Sequence, residues 1–416
     1  MTRLVTNKMV KSRVLLPLVV VAFVAALTVF VWKESAALEH VGLRGLYFSV
    51  GMALVLGVYL VCAILSYQYE AYIVSYLSAV TILVAIGLSY QFLFEDFLHH
   101  LVTILVGIVS ACVAFVLWRR LKGGLSRPMY RLLLLTIFGL LVVNLLLGTE
   151  VNGARLWIVV GGFSFQPGEL VKVLLIVLGS ASFRNARRGI LYCVASICSC
   201  AALLYLRDLG GAATVFALFL LMSYLLFDNR LFSLSLMGSA VAGFVGAIRM
   251  LPYAAQRMAS WGNAMTETGS WQQRHYIIGV LLGGFDGLGL QDAHWYTDVF
   301  SANSDGAMGG VMAVYGVPVA MIAMISYAVL AAQALLNHSV YTSSYFIHAQ
   351  LGMYLFVQVL LSFCGALDLL PFTGITSLLI SAGGSSVVCS FLLIGLGAAA
   401  LAPKITTPKE GINNES

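Results

Sequence analysis

Apolar residues in this chain come in runs of about 20, without the regular polar alternation of a soluble helix or strand. A helix that long matches the hydrocarbon thickness of a bilayer, and water would leave such a helix without a polar face. Twelve runs are predicted to span: 14–32, 46–66, 71–92, 100–118, 130–149, 167–183, 189–206, 209–227, 231–250, 307–335, 345–366 and 376–401. The expected class is all-α, a polytopic membrane protein with about 12 transmembrane helices.

Composition agrees. Of 416 residues, 61% are hydrophobic and 10% charged, with a mean hydropathy of +0.96. A soluble domain carries about 25% charged residues, so that class is excluded. The first run has no small-residue cleavage site and reads as a spanning helix rather than a removed signal. Twelve spans with both termini cytoplasmic put fifteen of the 23 Lys and Arg inside and seven outside, with Lys172 within a span. Basic residues favour the cytoplasmic side, which supports this topology. The net charge of +6 is then a topology signal and calls for no nucleic-acid partner. The seven cysteines lie in apolar runs without His or carboxylate at ligand spacing, as packing residues do.

No soluble domain is expected. Residues 1–129 form N-terminal helices, 130–402 a membrane core, and 403–416 a polar cytoplasmic tail. The longest segment between spans, 251–306, reads as a large extracytoplasmic loop with little regular pattern. Its Trp261, Trp271 and Trp295 argue against disorder and suit a membrane interface or an amphipathic ligand.

Candidate chemistry concentrates in Asn152–Lys172, NGARLWIVVGGFSFQPGELVK. Glu169 and Lys172 share a helix face just after Pro167. They form either a structural ion pair or one wall of a polar cavity. Arg155 could grip phosphate in a bidentate manner, with Trp157 against a lipid chain or sugar, or both could anchor the interface. Asp208 either caps the eighth span or faces substrate. Asp298 stands among aromatics in HWYTDVF, where burial would make it a better proton acceptor; capping and a solvated loop are its alternatives. Gly383-Gly384-Ser385-Ser386 suits close helix packing. His99 and His100 beside Glu95 and Asp96 read as a wet loop face before a metal site.

Four segments, in order, resemble the SEDS family (shape, elongation, division and sporulation), the RodA/FtsW/SpoVE type of peptidoglycan polymerase. NGARLWIVVGGFSFQPGELVK resembles NGARRW…QPSE..K, and LRDLGGA resembles QPDLGT. GSWQQRHYIIGVLLGGFDGLGL with YTDVF resembles the loop ending in TDFIF, and PFTGITSLLISAGGSS resembles P.TGI.LPF.S.GGSS. Leu156 replaces the second Arg of the first motif, and Asp305-Gly306-Ala307 stand where the family's acidic pair is expected.

The resemblance implies a ten-helix core plus two extra N-terminal helices, and glycosyl transfer from lipid II at the outer leaflet. It carries the general base onto Asp298. Substrate binding goes to Arg155, Trp157, Gln166, Glu169, Lys172, Asp208, Thr297, Ser385 and Ser386. It implies a class B penicillin-binding protein as partner, no resident cofactor or metal ligand, and room for a divalent cation at the pyrophosphate. The missing acidic pair keeps a non-catalytic scaffold open. Twelve helices with internal charges keep open a lipid II flippase or transporter.

Overall fold

The computed structural model describes residues 2–35, 42–65, 71–121, 124–151, 153–161, 163–183, 185–266, 271–336 and 342–402. Asn152 of the first motif, Gly269-Ser270 of the third and the tail 403–416 lie outside them. Five helices open the chain: α1 (Thr2–Ser35), α2 (Gly42–Leu65), α3 (Ala71–Gln91), α4 (Phe97–Arg120) and α5 (Arg127–Leu147). Three short strands follow, β1 (Thr149–Val151), β2 (Ala154–Val160) and β3 (Phe163–Phe165). Then come α6 (Pro167–Ser180), α7 (Ala186–Tyr205), α8 (Leu209–Leu226), α9 (Arg230–Met250), α10 (Pro252–Ser260), α11 (Trp271–Gly283) and α12 (Gly289–Asp292). A 3-10 turn at His294–Asp298 leads to α13 (Ala307–Leu336), α14 (Ser343–Ala366) and α15 (Gly384–Leu401).

Among the described residues, 11 helices are long and apolar enough to cross a membrane. The chain is a multi-pass membrane protein. The run at 167–183 departs from expectation, because α6 has only 14 residues. Its position explains both its hydrophobicity and its length. It separates two apolar cores, sending Val173 and Ile176 into one and Val171, Leu175 and Leu178 into the other. The first core joins α1–α4 to α11–α15; the second joins α5–α10 and takes Phe346 from α14. A helix buried on both sides reads as hydrophobic all round whether or not it spans. Outer faces such as those of Leu146, Leu231 and Ile325 are exposed, as lipid contact requires.

Segments between the predicted spans are structured. Ala154–Val160 and Phe163–Phe165 form two strands of an antiparallel sheet ordered β1-β2-β3, with Ile158 opposite Phe165. The stretch 251–306 is largely helical, with α11 packed on α13, so it is no irregular loop. Helix α13 breaks at Gly316, whose φ of 76° and ψ of 179° no helix allows. A Cβ there would collide with the Phe285 carbonyl oxygen. The break is satisfied locally: Val317 N–H donates to Gly284 O at 3.2 Å and Leu288 N–H to Ala313 O at 2.9 Å.

The last predicted span, 376–401, is also shorter than expected. Helix α15 begins at Gly384, and 371–383 run as irregular backbone that is buried at Thr373, Ile375 and Ser377–Ser381. Such backbone is tolerated at membrane depth only where protein or a cavity satisfies it. Gln91 Nε2 donates to Ile380 O at 3.0 Å, and the Tyr327 hydroxyl donates to Leu378 O.

A charge cluster as the candidate active site

Pro167 opens α6, and Glu169 and Lys172 fall one turn apart on it. Lys172 Nζ donates to Glu169 Oε1 at 2.7 Å, with the side chains 2% and 9% exposed. A buried ammonium must be paired, and this one is also 5.8 Å from the centre of the Tyr354 ring. The spacing read from sequence therefore forms the pair it suggested.

Asp208 caps α8, its Oδ1 accepting from Gly211 N–H at 2.7 Å. It lies within electrostatic reach of Lys172, Glu169 and Arg257. Burial raises its carboxyl above the usual value; Lys172, the Gly211 N–H and Arg257 pull it back, and Glu169 pushes it further up. The residue before it, Arg207, takes a left-handed φ of 68° and donates to Gly153 O at 2.7 Å, tying α8 to the sheet.

The second carboxylate of the cluster is Asp305, two residues before α13. Its segment is pinned through its carbonyls. Tyr276 Oη donates to Phe300 O at 2.8 Å, Tyr90 Oη to Ala302 O at 2.7 Å, and both Gln91 Nε2 and Ala382 N–H to Asn303 O at 2.7 Å. Ser381 Oγ reaches Ser304 O at 2.5 Å and Tyr296 Oη reaches Gly306 O at 3.1 Å. Burial pushes the Asp305 carboxyl up to about 7; Arg257 opposes the rise, and the charge of Asp208 adds to it. A carboxylate so placed holds or accepts a proton near neutrality, as a general base must.

Around these groups lies the backbone of Phe372–Gly374. Thr373 Oγ1 is buried without a hydrogen-bond partner and packs against Gly210 in the first turn of α8. Ser385, in the first turn of α15, accepts from Gln166 N–H at 2.9 Å and so joins α15 to the start of α6. Ser386 is buried beside it.

Other sequence candidates sit on the 3-10 turn and on β2, and the Arg155 N–H donates to Leu206 O at 3.2 Å, two residues before Asp208. Asp298 is exposed, at the end of the 3-10 turn, so the desolvation expected from its aromatic neighbours is not found. Thr297 is half-buried on the same turn. Arg155 is exposed on β2, where it pairs with Glu150 at 3.3 Å. Trp157, half-buried on the same strand, accepts from Thr149 Oγ1 through its carbonyl at 2.7 Å. His100 is not on a wet face: it is buried in α4 with both ring nitrogens unpartnered. Among the described residues, no three His, Cys, Asp or Glu side chains converge to hold a metal ion.

Sequence reading missed Arg257, Asp305 and Thr373 as site residues. One signal was present: Asp305 stands two residues before the apolar run that begins at 307, whereas Asp298 stands nine before it. Arg257 carried no local signal, because α10 is one amphipathic piece of a segment read as irregular.

Comparison with known proteins places the fold. The family model of FtsW/RodA/SpoVE cell cycle proteins matches residues 57–402. The chain belongs to the FtsW/RodA/SpoVE family. The match begins within α2, leaving α1 outside it. A probable peptidoglycan glycosyltransferase FtsW of Coxiella burnetii is 29% identical over 328 residues, 73% of this chain and 85% of that protein. The peptidoglycan glycosyltransferase RodA of Mycobacterium tuberculosis is 26% identical over 278 residues, 60% of this chain and 58% of that one.

Two solved structures share this fold. A chain from a peptidoglycan synthase complex that coordinates polymerization and crosslinking aligns with a TM-score of 0.62 at 22% identity, over 80% of this chain and 98% of that one. The rod shape determining protein RodA of Thermus thermophilus gives 0.53 at 19% identity, over 80% and 97%. The all-α, multi-pass fold expected from the sequence is thus the family's fold.

Proposed function

We propose that this family member is a peptidoglycan glycosyltransferase, polymerising lipid II into glycan strands at the outer face of the bacterial cytoplasmic membrane, with both termini cytoplasmic. The observation that carries the reading is the charge cluster where the two apolar cores meet, in which the buried Glu169–Lys172 pair is joined by half-buried Asp208, Arg257 and Asp305. Relatives named as peptidoglycan glycosyltransferases support the reaction class.

In the proposed reaction the 4-hydroxyl of an acceptor GlcNAc attacks C1 of the donor MurNAc. The new C1–O bond forms as the bond to undecaprenyl pyrophosphate breaks, the electron pair leaving with the phosphate and the configuration at C1 inverting. The hydroxyl proton needs an acceptor on the protein. Burial and raised proton affinity favour Asp305 for this role over the exposed Asp298 onto which the TDFIF resemblance carried it. Lys172 and Arg257 supply positive charge toward the departing diphosphate, and Thr373 offers an unpartnered hydroxyl. A divalent cation accompanying the diphosphate would meet Asp208 on the protein side, since magnesium takes one or two carboxylates together with substrate phosphates.

A class B penicillin-binding protein is the proposed partner, by likeness to the solved synthase complex. The test is polymerisation of fluorescent lipid II by the purified full-length protein, alone and with that partner. Glycan polymer that is lost with Asp305→Asn is the expected result. A folded complex that makes none would overturn the reading in favour of a scaffold. Lipid II translocation insensitive to Asp305→Asn would favour a flippase.

A further inference from the structure

Arg257 belongs to neither of the two ion pairs found among the described residues, Arg155–Glu150 and Lys172–Glu169. Its Nη1 donates to the Phe372 carbonyl at 3.4 Å. Asp305 abuts the same strap two residues further on. Gly374 has a left-handed φ of 69°, and Asp305 Oδ2 lies 3.2 Å from where a Cβ on it would stand. Arg257 and Asp305 therefore flank one three-residue stretch, and Thr373 between them packs on the helix that Asp208 caps.

The guanidinium is placed from behind. Tyr253, one turn earlier on α10, donates to Leu204 O at the end of α7 at 2.8 Å, and Ala254 is fully buried. These contacts fix the face of α10 from which Arg257 projects. We infer that Arg257 is a positioning residue: it braces the Phe372–Gly374 strap against Asp305 and sets a fixed positive charge there, opposite the like charge of Asp208. The inference rests on the proposed role of Asp305 as proton acceptor.

The titratable groups facing Asp305 are Arg257 from α10, Asp208 from the start of α8 and Tyr276 from α11. Tyr276 donates its proton to Phe300 O, and Lys172 and Glu169 act on Asp208. Arg257 is thus the cation set directly against Asp305. Removing it leaves Asp305 facing the Asp208 carboxylate with no cation set against it, which shifts the balance toward the protonated acid.

Two readouts on the full-length protein in proteoliposomes test this. One is the pH profile of fluorescent lipid II polymerisation. The other is infrared titration of the carboxyl band that Asp305→Asn abolishes, which needs no turnover. Arg257→Gln should move both the acid limb and the titration upward by about one pH unit, a tenfold change in proton affinity. Arg257→Lys should restore most of the shift, and Asp208→Asn should move it downward. A titration unchanged in Arg257→Gln overturns the inference, whatever happens to the rate. If the titration shifts while wild-type protein makes no polymer, the polymerase reading fails and the charge-holding role of Arg257 stands.

Discussion

Lys172 donates to Glu169 at 2.7 Å inside α6, with both side chains withdrawn from solvent where the two apolar cores meet. Neither charge could stay there alone. Lys172→Met should cost about 3–5 kcal/mol, because an unpaired carboxylate is left behind, whereas the double change Glu169→Gln with Lys172→Met should recover most of it. Thermal unfolding in detergent measures both. Equal losses in the single and double variants would show that the pair does not act as a unit.

The two aspartates near α13 are separated by burial. Asp305→Asn should lower lipid II polymerisation by about 10²–10⁴-fold, the usual contribution of a general base. Asp298→Asn should leave it near wild type. The reverse ranking would return the proton-accepting role to Asp298.

The raised carboxyl of Asp305 also sets a pH dependence. A base works when deprotonated, and this one keeps its proton up to about 7, so activity should fall as pH drops through that value. The effect on stability has the opposite sign. The folded-state value exceeds the unfolded one, so the contribution is intact below the ordinary carboxylate range and is lost as pH rises through about 7. Asp305→Asn should therefore gain melting temperature relative to wild type between about pH 5 and about pH 8. A difference that does not change across that window would contradict the burial argument.

Arg155 pairs with Glu150 on an exposed strand surface. Arg155→Ala should cost no more than ~1 kcal/mol in stability and leave polymerisation little changed. A steep loss of rate in a protein of normal stability would place Arg155 in the site after all.

Gly316 breaks α13 with a backbone no side chain adopts easily. Gly316→Ala should destabilise by at least ~1–3 kcal/mol from conformation alone, with the contact to the Phe285 carbonyl added. A melting temperature equal to wild type would mean that α13 can straighten without loss.

Much was legible before any fold was known. The apolar runs announce spanning helices because a bilayer imposes one length and one solvent on each. The Glu169–Lys172 pair and the Asp208 cap were readable because both depend on spacing within one turn. The resemblance of four motifs reached the family, whose model matches residues 57–402.

Convergence was not legible. Asp298 and Asp305 lie on the same short connection, both near aromatics and both before the same apolar run. The fold turns one inward, by pinning the carbonyls of 300–306 to Tyr276, Tyr90, Gln91 and Ser381, and leaves the other on the surface. Arg257 joins Asp305 through a strap more than a hundred residues away. The run at 167–183 looked like a span, yet α6 is a short wall between two cores. Sequence by itself determined which segments avoid water and which side chains meet within a turn, because those are local consequences of composition and helix geometry. Which carboxylate loses its water, and which cation faces it, only the packing of distant helices decided, because desolvation belongs to the assembled surroundings and not to the residue.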